Sequence, residues 1–215
     1  MNEIVIPYGT FALECDKESA AGEFLQRWPL LHGKRIAITL GRIHPKKGCD
    51  ILIEAFAGAL ADDGNWHLVI AGPDDAGWKT DLESLAMRLG IQDRITWTGM
   101  LKGTLKWGAL AASEIFVLPS HQENFGIAVA EALSCSLPVV ISDKVNIWRE
   151  ISAYNAGLIG EDTPSATCAL LKRWTALTAE EIANARINSR KCFDEKFNMD
   201  VTRGRYLSIV ESLVR

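Results

Sequence analysis

Two short stretches of the chain concentrate residue types able to do chemistry. The first is Gly41-Arg42-Ile43-His44-Pro45-Lys46-Lys47-Gly48. It sets two cations, Arg42 and Lys47, beside a glycine, Gly41, that permits close backbone approach of a ligand. The second is Pro119-Ser-His-Gln-Glu123-Asn-Phe-Gly126-Ile-Ala-Val-Ala-Glu131. A helix beginning near Asn124 or Phe125 would leave the amides of Gly126, Ile127 and Ala128 in its unpaired first turn, a seat for phosphate oxygens. Glu123 would then stand before that seat. Glu131 would follow roughly 12 Å along the axis, at about 1.5 Å per residue. A carboxylate at each end of a diphosphate suits a nucleotide-sugar, with sugar at one end and ribose at the other. Paired carboxylates of a glycoside hydrolase stand roughly 5–9.5 Å apart across one bond, so this spacing disfavours hydrolysis.

These stretches need a scaffold, and the chain alternates strand and helix signals around them. Arg35 to Leu40, Trp66 to Ala71, Arg94 to Thr98, Ile115 to Leu118, Pro138 to Ile141 and the short Gly157 to Ile159 are the expected strands. Between them, Ile51, Leu52, Ala55, Phe56, Ala59 and Leu60 recur at helical spacing, as do Leu82, Leu85, Ala86 and Leu89. Thr80-x-x-Glu83 reads as a capping box for the second of these helices. Further helices are expected over residues 104–112 and from about Phe125 to Ser134. Brief, continuously apolar strands alternating with helices predict a parallel, doubly wound Rossmann-like α/β sheet of five or six strands, covered on both faces. In such a sheet ligands bind beyond the carboxyl ends of the strands, where both chemical stretches lie. Residues 35–160 form this core. Residues 161–215 carry only helical signals, including the N-cap Thr163-Pro164 and the capping box Thr178-x-x-Glu181. Residues 1–34 show no compact unit and read as a connection and lead-in.

Composition narrows the function classes. Of 215 residues 48% are hydrophobic and 23% charged, the profile of a globular chain. Lys plus Arg number 23 against 27 Asp plus Glu, a net charge of −4, which argues against a nucleic-acid partner or a polybasic membrane surface. No apolar run reaches the roughly 20 residues of a membrane span, and no secretory signal opens the sequence. Five cysteines, at 15, 49, 135, 168 and 192, never fall in a C-x-x-C pair. Reduced thiols and a cytoplasmic location are the expectation. Asp62-Asp63 and Asp74-Asp75 are adjacent acids in turns, and no metal site is expected. Cys49 and Cys135 read as small buried hydrophobes. His44 and His121 read as loop residues beside the chemistry, with Trp148 a candidate border of a sugar pocket.

The segment E-N-F-G-I-A-V-A-E, preceded by V-L-P-S and followed by A-L-S-C-S-L-P-V-V, resembles the E-x7-E signature of retaining, glycogen-synthase-like group 1 glycosyltransferases of GT-B fold. T-L-G-R-I-H-P-K-K-G-C-D-I-L-I-E-A-F is similar to the same family's G-R-x4-K-G element, and L-V-I-A-G-P and I-T-W-T-G-M match its intervening strands. The resemblance implies that Arg42 and Lys47 hold the donor diphosphate and stabilise its departure. It implies that Glu123 and the backbone of Asn124, Phe125 and Gly126 meet the sugar hydroxyls, and that the Ile127 and Ala128 amides meet phosphate. By the same resemblance Glu131 binds ribose and backbone near Met100 and Leu101 meets the base. The donor would be a UDP-, GDP- or ADP-sugar, with no cofactor and no metal.

A family member has two Rossmann-like domains, and the match here covers only the C-terminal, donor-binding one. The opening V-I-P-Y-G resembles the family's interdomain connection, and an N-terminal acceptor-binding domain is the expected partner. The last helix is expected to expose Leu207, Val210, Leu213 and Val214 toward such a domain. Glycine is usual in the family where Ser136 stands, and serine constrains that turn. Two other readings fit the same motifs: a nucleotide-sugar-binding module without catalytic duty, and half of an epimerase of similar fold.

Overall fold

The computed structural model describes residues 8–12 and 16–214, the last three by their backbone alone. Six parallel strands form one sheet: β1 (Arg35–Leu40), β2 (Trp66–Ala71), β3 (Ile95–Gly99), β4 (Ile115–Leu118), β5 (Val139–Ser142) and β6 (Gly157–Gly160), in spatial order β3-β2-β1-β4-β5-β6. The predicted doubly wound sheet is present, each strand within a residue or so of its expected bounds. The order reverses direction between β1 and β4, which pair through Ala37 with Ile115 and Ile38 with Phe116. A crevice opens at such a reversal, because the crossovers on either side leave in opposite directions.

Alternation along each strand feeds two cores. Ile36, Ile38, Val69, Ala71, Phe116 and Leu118 face one layer, built from α4 (Gly103–Ala111), α5 (Ile127–Ser134) and α8 (Ala179–Cys192). Ala37, Leu68, Ile70, Ile115 and Val117 face the other, with Leu52 and Phe56 of α2 (Cys49–Leu60), Leu82 of α3 (Lys79–Arg88) and Trp174 of α7 (Pro164–Thr175). A small helix, α6 (Trp148–Ala153), precedes β6. Burying both sheet faces explains strands that read as unbroken apolar runs. The tail is helical as expected, and α8 begins with the capping box of Thr178 and Glu181.

Three local readings need correction. Residues 17–27 are not mere lead-in: they form α1 (Lys17–Arg27), capped by Asp16 accepting from the Ser19 amide at 2.9 Å and packed on α4 through buried Ala20 and Phe24. Its sequence is mostly polar around that one i, i+4 pair, so periodicity carried little signal. The Thr80–Glu83 capping box does not form. The helix starts at Lys79, two residues before a Thr80 cap would start it, the Asp74 carboxylate accepts from the amides of Trp78 (2.9 Å) and Lys79 (3.2 Å), and Glu83 pairs with Lys79 at 3.3 Å. The helix expected from Asn124 or Phe125 starts at Ile127, because Gly126 takes a left-handed conformation (φ 80°) that breaks the helix before it.

The chain ends come together beside this region. The amide of Thr10 donates to the Phe197 carbonyl, that of Met199 to the Thr10 carbonyl, and the last helix, α9 (Met199–Val214), follows. Leu207 and Val210 are exposed on it as expected; the side chains of Leu213 and Val214, and residues 5–7 of the expected interdomain connection, lie outside the described residues. Among the described residues no helix is long and apolar enough to cross a membrane.

Candidate donor site at the strand crossover

The loops after β1 and β4 are neighbours at the reversal of strand order, and a glycine joins them. Gly48 (φ 67°) sits so near the second loop that a Cβ there would lie 2.2 Å from the Pro119 carbonyl oxygen. Only a residue without a side chain allows that approach. The Lys46 carbonyl then accepts from the His121 amide (2.9 Å) and the Ser120 hydroxyl (2.6 Å), fastening the cation loop to the carboxylate loop. On its other side the carboxylate loop pairs with the turn after β5: Glu123 N–H donates to Lys144 at 3.1 Å, and Asn146 N–H to Glu123 at 3.0 Å.

Between the loops runs a cleft with two lobes that share Arg42, Lys47 and Glu123. The inner lobe, about 230 Å³, is walled by Leu40, Gly41, Leu118, Gly126, Ile127 and Ala128 as well. The outer lobe, about 300 Å³, adds His44, Lys46, Gln122 and Asn124. Ile127 and Ala128 are the first two residues of α5, so their amides have no carbonyl partner within the helix and mark its positive end. Lys47 and Glu123 form a half-buried ion pair in the shared wall. A diphosphate-sized anion entering the inner lobe meets a guanidinium, an ammonium and two helix amides. A polyhydroxyl group in the outer lobe meets a carboxylate, two amide side chains and an imidazole. His44 itself accepts from the Lys46 amide at 3.1 Å.

Of the residues expected at the site, Gly41, Arg42, Lys47, Glu123, Asn124, Gly126, Ile127 and Ala128 line this cleft. Phe125 does not: its ring stacks edge-on with Tyr8 at 5.4 Å and Phe197 at 5.7 Å, on the seam between the chain ends. Glu131, Met100 and Leu101 lie outside both lobes; Met100 is exposed and the Leu101 side chain is in the core. Glu131 is paired with Lys106 of α4 at 2.7 Å, and the Lys106 ammonium also lies 4.2 Å from the Trp107 ring centre. Nor is the separation of the two glutamates set by a helix. Glu123 belongs to a loop, and only the four steps from Ile127 to Glu131 are helical, about 6 Å of rise. Trp148 packs against the core under Arg149 and lines neither lobe.

Periodicity did not mark Lys46, Lys106 or Gln122. All three are polar residues in unremarkable contexts; the sheet order brings Lys46 and Lys106 to the glutamates, and Gln122 is the chain neighbour of Glu123. His121 reaches Asp162, in the loop between β6 and α7, at 2.7 Å. That hydrogen bond, with the Lys144 charge behind it, holds the Asp162 carboxyl below its ordinary range. Cys49, just past the cation loop, is buried and its thiol is pushed up to about 12, an inert packing group.

The model of the family described as glycosyl transferases group 1 matches residues 22–191. An alpha-D-kanosaminyltransferase from Streptomyces kanamyceticus is 30% identical over 146 residues, covering 68% of this chain and 37% of that protein. Among solved structures, the C-terminal domain of a group 1 family protein, LpcC, from Francisella tularensis superposes with TM-score 0.73 at 20% identity, covering 88% of this chain and 96% of that one. Anabaena Alr3699/HepE in complex with UDP-glucose superposes with TM-score 0.78 at 19% identity, covering 92% of this chain and 54% of that one. The chain thus spans about half the length of that structure, and its match about a third of the first curated relatives. With its family match running through both loops of the cleft, this chain belongs to the group 1 glycosyltransferases.

Proposed function

We propose that the cleft binds a nucleotide-diphospho-sugar and that the chain is the donor half of a retaining glycosyltransferase of GT-B architecture, passing a hexosyl group to an acceptor held by an N-terminal domain. The observation that carries this reading is the convergence of Arg42, Lys47, Glu123 and the first amides of α5 on one cleft at the strand crossover. Departure of a nucleoside diphosphate develops negative charge on the leaving oxygens. Fixed cations and helix amides aimed at that spot stabilise it without reorganising, which is why we assign no metal to the reaction. Glu123 and Asn124 face the sugar in the outer lobe, and Glu131, just past the amides, serves the ribose end by exchanging its Lys106 partner for hydroxyl donors. HepE, of like fold, has been solved in complex with UDP and with UDP-glucose, which supports a donor of this class.

A thermal-shift panel tests the reading. UDP, GDP and ADP, each with its sugar ester, are added with and without EDTA. One base series should stabilise the chain, with EDTA making no difference; ligand at about 100 times its dissociation constant adds about 2.7 kcal/mol. No shift with any of them, or a shift abolished by EDTA, would overturn the assignment.

A further inference from the structure

The carboxylate loop is tied down on three sides. Two sides are held by main-chain bonds with side-chain help: Lys46 of the cation loop, whose carbonyl also takes the Ser120 hydroxyl and whose neighbour Lys47 pairs with Glu123, and the end of β5, through Lys144, Asn146 and the Ser142 hydroxyl on the Ser120 carbonyl. The third is a side-chain tie, His121 Nδ1 to Asp162 Oδ2 at 2.7 Å, reaching a loop whose residues line neither lobe of the cleft. It is the one tie of the three made by a group that ordinarily titrates near neutrality. We propose that His121 and Asp162 form a positioning pair for the sugar lobe. Protonated His121, clamped on Asp162, holds Gln122, Glu123 and Asn124 where the donor sugar meets them, and the clamp slackens as His121 loses its proton. This deepens the donor-site reading and rests on it.

The surroundings support the arrangement. Charges near the pair come from Glu161 beside Asp162, and from Lys144 and Asp143 beyond β5, themselves paired at 2.9 Å. On the pair's own loop the Glu123 carboxylate is occupied by Lys47, and the cation loop reaches His121 through the Lys46 carbonyl. The Asp162 carboxyl, held below its ordinary range by this bond, keeps its charge at neutral pH. With neutral histidine the contact is one hydrogen bond; with the imidazolium it is a charge-assisted one, roughly twice as strong. The side chains are 46% and 23% exposed, so water screens the pair and the effect is modest. His121 and Asp162 touch no ligand in this scheme; they act through the loop.

Calorimetry on the whole chain at pH 6.0, 7.0 and 8.0 tests it, with whichever of UDP-glucose, GDP-mannose or ADP-glucose gives the largest thermal shift. Its phosphodiester groups do not titrate in this range, so the pH profile reports the protein. Affinity should fall about threefold or more from pH 6.0 to 8.0. His121→Gln, which keeps a hydrogen bond but cannot titrate, should flatten that profile near the high-pH value, and Asp162→Asn should flatten it too. His121→Ala should lose a further twofold or more at every pH, which His121→Gln restores. A flat wild-type profile, or one unchanged in both variants, overturns the positioning role while leaving the donor site standing. If the sugar nucleotide binds but Arg42→Ala does not weaken it, the donor-site reading fails, and this inference with it.

Discussion

Arg42 and Lys47 differ in how free they are to meet a ligand. Arg42 is exposed at the rim shared by both lobes, while the Lys47 ammonium is already engaged by Glu123. Removing either cation should weaken a nucleoside diphosphate much more than the bare nucleoside, by about 1.5–3 kcal/mol. Lys47→Ala should be the costlier of the two, because it also leaves the Glu123 carboxylate unpaired beside the phosphates. Calorimetry with UDP against uridine, or the matching base pair, measures both; equal losses for the two ligands would place these residues away from the diphosphate. Glu123→Gln removes the same pair from the other side. It should leave nucleoside diphosphate binding intact or slightly tighter, since Lys47 is released, and weaken the sugar-bearing donor. A loss of diphosphate affinity with no effect on the sugar would reverse the orientation assigned to the donor.

Elements carry strain and buried charge that show up as stability rather than binding. After α5 the chain turns through Ser136 with φ 61°, a left-handed conformation costly for any residue with a side chain, steadied by Lys17 donating to the Cys135 carbonyl at 3.1 Å and the Ser136 hydroxyl at 3.3 Å. The glycine usual in the family is thus what the geometry asks for. Ser136→Gly should raise stability by about 0.5–1 kcal/mol, the relief of strain being partly offset by the freer unfolded chain; urea denaturation reads it directly. In β2, His67 is buried and its ring meets the Thr96 hydroxyl of β3 at 2.9 Å. Burial, then the Arg94 and Lys34 charges, lowers its pKa to about 4. The unfolded chain protonates this group near its ordinary 6.5, so the unfolded state binds the extra proton between those values. The stability is full above about pH 6.5 and declines as pH falls toward 4, by about 3 kcal/mol. Denaturant midpoints from pH 7 to 4 should fall less steeply in His67→Gln than in the wild type. Parallel slopes would show that His67 is not the titrating group.

For the molecule as a whole, the two cores on either face of the sheet predict that these 215 residues fold on their own and bind donor. Transfer by the chain alone should be near zero. On the proposed reading, acceptor positioning and a closed, water-excluding cleft come from an N-terminal domain, and orientation by itself supplies about 7–11 kcal/mol of barrier reduction. An assay of the purified chain with matched donor and acceptor checks this, and multiple-turnover transfer would refute the half-enzyme reading. Tyr8 and Phe11 beside the Thr10–Asn198 bridge, and Tyr206, Leu207 and Val210 along α9, are exposed, so weak self-association is expected at high concentration and is measurable by sedimentation.

The strands, the two-faced sheet and the chemical character of both loops were legible in the amino-acid order, because period, punctuation and residue type are local properties. So were Arg42, Lys47, Glu123 and the amides of Ile127 and Ala128, each beside a strand end or a helix start. What the tertiary structure decided is adjacency. β1 and β4 are about eighty residues apart in the chain and become neighbours only through the sheet order, which makes two loops into one cleft. The same order gives Lys47 to Glu123, Lys106 to Glu131 and Asp162 to His121, pairings between residues with no common period. It also turned Phe125 out of the site, onto Tyr8 and Phe197, while the left-handed Gly126 moved the start of α5 to Ile127. Local sequence chooses the groups; the crossover of the sheet chooses which of them meet.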